Sequence, residues 1–225
     1  MEIKGVFFDM DGVVIDSSRL WNDIITELSA KYNLDLMVVE SAAMKNLSTK
    51  EAMKIVLESM GMYSDALLGD ILEDIDVMYE KGLSPLTSVI DGIPEILQLL
   101  GRESIARVLV SNSTRKQVLM VLRHYGLEDS FDYSVASDDV SKGKPDAEPY
   151  LKALQLTGLA PEEALVVEDS DTGVQAAEAA SIECIKVNPN SGCETHDMLV
   201  KYKINCKPRA EADVSGYAEA QRDCR

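Results

Sequence analysis

Apolar positions along this chain recur in two rhythms. Short runs rich in β-branched side chains fall at residues 3–8, 106–110, 133–136, 165–167 and 184–187, each bounded by polar or turn residues. Continuous apolar runs of this length predict strands buried on both faces, as in a parallel sheet. Between them, residues 115–124, 147–155 and 173–180 carry their apolar side chains at helical spacing. Strand and helix in alternation call for right-handed crossovers, and the predicted fold is α/β, a doubly wound parallel sheet of Rossmann-like type.

One interval breaks the alternation. Residues 17–82 contain helix-like stretches at 20–31, 51–60 and 66–79 and no convincing strand, which predicts an inserted α-helical cap domain. The catalytic core is then formed by residues 1–16 and 83–225. The run from Leu83 through Ser84, Pro85 and Leu86 to Thr87 is expected to carry the chain back from the cap. Asp91, Gly92, Ile93 and Pro94 then open the next core helix, with proline near its first turn. From about residue 191 the pattern weakens into a polar tail, with Ala212, Asp213 and Val214 as a candidate edge strand before a short terminal helix.

Composition narrows the function. A chain of 225 residues can bury a proper core without disulfides. Its cysteines, Cys184, Cys193, Cys206 and Cys224, include no C-x-x-C pair, and His124 and His196 lie far apart, so zinc chemistry is set aside. No apolar run reaches membrane-spanning length and no basic leader precedes the first strand, which predicts a soluble, cytoplasmic protein, a monomer or weak homodimer. A formal net charge of -17 argues against nucleic acid or an anionic membrane as partner. A small anionic substrate stays possible where cations gather locally.

Open α/β sheets bind ligands beyond the carboxyl ends of their strands, and four such ends here carry coherent chemistry. The first strand runs into Asp9-Met10-Asp11-Gly12. Two acids so close repel unless a cation lies between them, which favours a hard, oxygen-liganded ion such as Mg²⁺. D-x-D-G also occurs in ordinary turns. A calcium loop counted from Asp9 would need glycine at position 14 and glutamate at position 20, where this chain has Val14 and Leu20. The second strand ends at Ser111-Asn112-Ser113-Thr114, a hydroxyl and amide cluster leading into a helix, able to donate to phosphate oxygens but also plausible as simple capping. After the third strand comes Lys142-Gly143-Lys144-Pro145-Asp146, where Lys144 could stabilise a transferring phosphoryl group. The fourth delivers a second acidic pair, Glu168-Asp169, followed by Ser170 and Gly173.

These motifs, FFDMDGVVIDS at residues 7–17, VSNST at 110–114, GKPDAEPYLKAL at 143–154 and VVEDSDTG at 166–173, resemble those of the haloacid dehalogenase-like hydrolase superfamily. The branch is the one related to β-phosphoglucomutase and phosphoglycolate phosphatase, and the helical insertion falls where that branch carries its cap. The resemblance implies that Asp9 is the nucleophile that forms an aspartyl-phosphate, and that Asp11 is general acid and then general base. It also implies that Mg²⁺ is held by Asp9, the Asp11 main-chain carbonyl and Asp169, with Glu168 in or near the shell, while Ser111 and Lys144 hold the phosphoryl oxygens. Asn112 joins the candidate substrate contacts.

Specificity is expected from the cap. Lys45, Ser48 and Lys50, in the run from Met44 to Lys50, resemble the cap loop of the mutase branch, with solvated helix flank as the other reading for the lysines. Mutases usually show glycine where Asn46 stands, arginine where Thr49 stands and histidine where Trp21 stands. These departures favour hydrolysis of a small phosphorylated metabolite, a sugar phosphate or a phosphoglycolate-like compound, over sugar phosphate mutase activity. Trp21 is read as cap core, with pocket wall as the alternative. A receiver-type signalling module would share the acids, hydroxyl and lysine, but the large insertion after the first strand counts against it. A catalytically silent phosphate-binding protein would have no need of every one of these side chains.

Overall fold

The computed structural model describes residues 2–35 and 47–189. Strands β1 (Gly5–Phe8), β4 (Ala106–Val110), β5 (Tyr133–Val135), β6 (Ala164–Glu168) and β7 (Glu183–Lys186) form one sheet in the order β5-β4-β1-β6-β7. Every pairing in it is parallel. The five strands expected from the apolar runs between residues 3 and 187 are each present within a residue or two of their expected bounds. The central β1 is buried at all four positions, and alternate residues feed opposite faces. Val6 and Phe8 join a core with Ile96, Leu97, Val118 and Val121, from helices α4 (Ile93–Arg102) and α5 (Arg115–Tyr125). Phe7 points the other way, into a cluster with Tyr150, Ala153, Ala176 and Ala177, from α6 (Glu148–Thr157) and α7 (Asp171–Ala179). Apolar side chains on both faces are what a helix-covered parallel sheet requires.

The described part of the insertion forms helices α1 (Ser18–Tyr32), α2 (Thr49–Ser59) and α3 (Asp65–Leu86). Both α1 and α2 pack on α3, and α3 packs on α5 of the core. Asp76 of α3 accepts from Lys116 Nζ at 2.9 Å and from Gln117 Nε2 at 3.4 Å, tying the two.

Where the chain returns to the core, the helix runs further than the expected stretch at 66–79. The run 83–86 is the last turn of α3 and carries Pro85 inside the helix. Gly82 and Pro85 look like breakers in the sequence, but Gly82 is there for contact: a Cβ on it would fall 2.2 Å from Leu20 Cδ1 on α1. Pro85 removes one N–H donor from the final turn, one residue before the helix ends. A pair not anticipated closes the insertion. β2 (Ile15–Asp16) and β3 (Ser88–Val89) run antiparallel, and Ile90 N–H donates to Val14 O at 3.0 Å. Entry and exit are thereby held side by side. Gly92, at φ 85°, caps α4, and proline follows in its first turn as expected. The expected strand at 212–214 and the terminal helix lie outside the described residues, as do Lys45, Asn46, Cys193, Cys206, Cys224 and His196.

Candidate active site

The parallel pairing of β1 with β4 and β6 sets the strand ends side by side, so that Asp9, Ser111 and Asp169 leave one edge of the sheet. Asp9 N–H donates to Val167 O at 3.0 Å, and Ser111 N–H to Val135 O at 2.9 Å, which continues the ladder one step beyond the strands. Carboxylate oxygens of Asp9, Glu168 and Asp169 all lie within 4.8 Å of one another.

Lys144 is the cation among them. Its Nζ donates to Asp9 Oδ1 at 2.6 Å, to Glu168 Oε1 at 2.5 Å and to Val110 O at 2.8 Å, and only 4% of the residue is exposed. Burial on its own would lower the lysine pKa, but the charges of Asp9 and Glu168 outweigh it and keep the ammonium charged. The loop that aims it is held by Asn112: its Oδ1 accepts Lys144 N–H at 2.9 Å, and its Nδ2 donates to Lys144 O at 3.2 Å. The Lys144-Pro145 peptide is cis. Asn112 therefore fixes the lysine loop with both ends of its amide.

One lysine does not balance this much negative charge. Burial pushes Asp9 well above the usual carboxylate range, with Glu168 adding to the rise and Lys144 opposing it. Burial, then the Glu168 charge, raises Asp169 to about 6. Glu168, fully buried, is the most heavily hydrogen-bonded of the three. Its Oε1 accepts from Lys144 and from Tyr150 Oη at 2.9 Å; its Oε2 accepts from Ser170 Oγ at 3.0 Å and from the main-chain N–H of Asp169 and Ser170. Close-set carboxylates with unbalanced charge are the donor set of a small hard cation, and one ion between Asp9 and Asp169 would relieve the repulsion that burial enforces. Two glycines make the crowding possible. A Cβ on Gly12 would fall 2.2 Å from Asp169 Oδ2, and one on Gly173 would fall 1.8 Å from Glu168.

Asp11 stands apart from this cluster and faces the insertion. Its Oδ1 accepts from Ser17 Oγ at 2.5 Å and from Trp21 Nε1 at 3.4 Å; its Oδ2 accepts from Ser113 Oγ at 3.2 Å. Burial raises its pKa, and these three donors work against the rise. Ser111 is buried, and its Oγ accepts Ser113 N–H at 3.0 Å, leaving the hydroxyl proton free to point to a ligand.

A cavity of about 740 Å³ opens between the insertion and the loops after β4 and β5, with Ser48 and Lys50 on one wall and Asn112 and Gly143 on the other. Ser48 and Lys50 thus border this cavity. The Ser48 hydroxyl is already engaged as the N-cap of α2, in a reciprocal box with Glu51. Lys45 is outside the described residues.

Several contributors were not anticipated. Trp21, read as cap core or pocket wall, packs half-buried against the core and in addition turns its N–H to Asp11. Ser17 and Ser113 lie inside recognised motifs, and contact with Asp11 is the feature that distinguishes them. Tyr150 follows the lysine motif within GKPDAEPY and supports Glu168 and Lys144, the latter ammonium lying 5.2 Å from its ring centroid. Among the described residues the free cysteine is Cys184, whose thiol burial pushes up to about 12, leaving it unreactive.

The chain belongs to the haloacid dehalogenase-like hydrolase family, whose sequence model matches residues 6–187. It is 29% identical to the phosphorylated carbohydrates phosphatase of Thermotoga maritima over 183 residues, 81% of this chain and 84% of that one. It is 25% identical to the β-phosphoglucomutase of Bacillus subtilis over 208 residues, 88% and 89% of the two chains. A crystal structure of β-phosphoglucomutase from Clostridium difficile matches with a TM-score of 0.75 at 21% identity, over 89% of this chain and 97% of that one, a likeness of fold. No helix among the described residues is long and apolar enough to cross a membrane.

Proposed function

We propose that this protein is a Mg²⁺-dependent phosphatase acting on small phosphorylated metabolites, with sugar phosphates as the leading class, through a phosphoryl group carried on Asp9. The observation that carries this reading is the convergence of Asp9, Glu168 and Asp169 within 4.8 Å around the buried Lys144 ammonium. Kinship to a phosphorylated carbohydrates phosphatase points to the substrate class. The strongly acidic composition fits a cytoplasmic enzyme that binds neither nucleic acid nor membrane, as a monomer or weak homodimer.

In this reading an Asp9 carboxylate oxygen attacks phosphorus, and the bond to the ester oxygen breaks as Asp11 gives that oxygen a proton. The alcohol leaves neutral, and Asp9 holds the phosphoryl group. Water then attacks phosphorus, losing its proton to Asp11, and inorganic phosphate departs with Asp9 restored. Lys144 and the Ser111 hydroxyl neutralise and orient the equatorial oxygens, since phosphoryl transfer is mostly positioning and charge stabilisation. Mg²⁺, held by Asp9, Asp169 and the Asp11 carbonyl with Glu168 at the edge of the shell, would supply charge neutralisation between carboxylate and phosphate. Lys50, and Lys45 from the segment before α2, would meet the rest of the substrate, and closure of the insertion would exclude water.

Release of inorganic phosphate from a panel of sugar phosphates, phosphoglycolate, nucleotides and pyrophosphate tests this, with Mg²⁺ and with chelator. Activity that survives the chelator would rule out the site as read. β-Glucose 1-phosphate separates the second reading, which kinship to a β-phosphoglucomutase keeps in view: free phosphate means phosphatase, and glucose 6-phosphate means mutase.

A further inference from the structure

Asp11 is gripped mainly from the insertion. Two of the donors on its carboxylate, Ser17 and Trp21, belong to the start of α1, and both bond to Oδ1; Ser113, from the core, bonds to Oδ2. Ser17 occupies the N-cap position of α1 yet makes no side-chain cap bond, its hydroxyl being turned to Asp11 instead. An N-cap serine that gives up its own helix costs stability, so the Asp11 contact is the feature the local structure favours.

Trp21 is the chain's sole tryptophan. Its ring lies against Tyr79 of α3, with centroids 5.5 Å apart and planes at 58°. Tyr79 is fully buried, and its hydroxyl has no hydrogen-bond partner among the described residues. The indole is therefore backed by a buried aromatic ring. An indole donates and never accepts. At 3.4 Å its bond to Asp11 is long, but it fixes the direction: Oδ1 is an acceptor on the insertion side. A carboxyl oxygen that already accepts two hydrogen bonds is the poorer place for a proton, and Oδ2, with one contact at 3.2 Å, is the better one.

We propose that Trp21 is a positioning residue for Asp11: its indole N–H pins Oδ1 toward the insertion and leaves Oδ2, beside Ser113, as the oxygen that exchanges a proton with substrate and water. This rests on the reading of Asp11 as acid and base. In the first half-reaction the Oδ2 proton passes to the ester oxygen as its bond to phosphorus breaks; in the second, Oδ2 takes a proton from the attacking water.

The test compares two esters and uses kcat/KM, which covers the steps up to leaving-group departure. p-Nitrophenolate leaves without a proton, whereas a sugar alkoxide needs one. Trp21→Phe keeps the aromatic packing on Tyr79 and removes the donor. It should lower kcat/KM for the best-cleaved sugar phosphate of the panel by about tenfold or more while leaving p-nitrophenyl phosphate within about twofold. Trp21→His, which keeps a ring N–H, should recover part of the difference. Equal losses on both esters, or no loss on either, would overturn the proposal and leave the phosphatase reading standing. A second readout needs no turnover. In chelated protein, Asp11→Ala should shift the emission of this lone tryptophan, and unchanged emission would also overturn the proposal. Wild-type protein that releases phosphate from neither ester removes the phosphatase reading and the proposal with it.

Discussion

Gly12 and Asp169 touch across the site: a single added methyl on Gly12 would lie 2.2 Å from the Asp169 carboxylate. The loop after β1 and the loop after β6 approach this closely because Gly12 has φ 87°, a conformation that other residues adopt only at a cost. Gly12→Ala should therefore cost about 1–3 kcal/mol in backbone strain and push Asp169 from its place. Thermal melting reads the first effect and Mg²⁺ titration the second; unchanged Mg²⁺ affinity in a folded variant would mean that Asp169 is not a ligand.

Asp9→Asn keeps shape and removes the attacking charge. Turnover should fall by about 10³-fold or more, while the melting temperature holds or rises, because one of the crowded negative charges is gone. Intact mass of the wild-type protein quenched during turnover should show a phosphoryl adduct that Asp9→Asn lacks. Ordinary activity in the variant would refute Asp9 as nucleophile.

Lys144→Met leaves Asp9 and Glu168 buried without their shared cation. Stability should fall by about 3–5 kcal/mol and kcat by about 10²–10³-fold. Added Mg²⁺ should restore part of the stability and little of the rate. Chemical denaturation with and without the ion measures the first; full recovery of kcat would show that Lys144 does no more than balance charge.

The acid cluster also sets a pH dependence in chelated protein. An ordinary aspartate titrates near ~3.9, whereas Asp169 is raised to about 6 by burial and then by Glu168. Between those values the folded protein binds more protons than the unfolded chain, so this group's contribution to stability declines as pH rises through the window and is least above it. Asp169→Asn should therefore gain melting temperature relative to wild type at about pH 7 compared with about pH 5. A gap between the two proteins that ignores pH would refute the raised value.

The strands and helices of the core were legible because burial on both faces writes itself as uninterrupted β-branched runs, and the central β1 is buried throughout. The acids were legible for a related reason, since residues just after parallel strands are carried to one edge whatever the loops do, whereas Lys144 lies well beyond the end of β5 and was legible only from its motif. The bounds of α3 were not, because Gly82 signals a break in one dimension and a close helix contact in three. The partners of Asn112 and Trp21 were not legible either. No local pattern records that the Asn112 amide holds the Lys144 backbone, or that the Trp21 N–H meets Asp11.

The order of residues alone thus determined which groups reach the carboxyl edge of the sheet, because strand pairing is dictated by apolar pattern and chain reversal by the helices between. Tertiary structure decided which partner each group meets once there. Those pairings depend on side-chain direction across loops distant in sequence, where a few tenths of an ångström separate a hydrogen bond from a gap and no local pattern records the outcome.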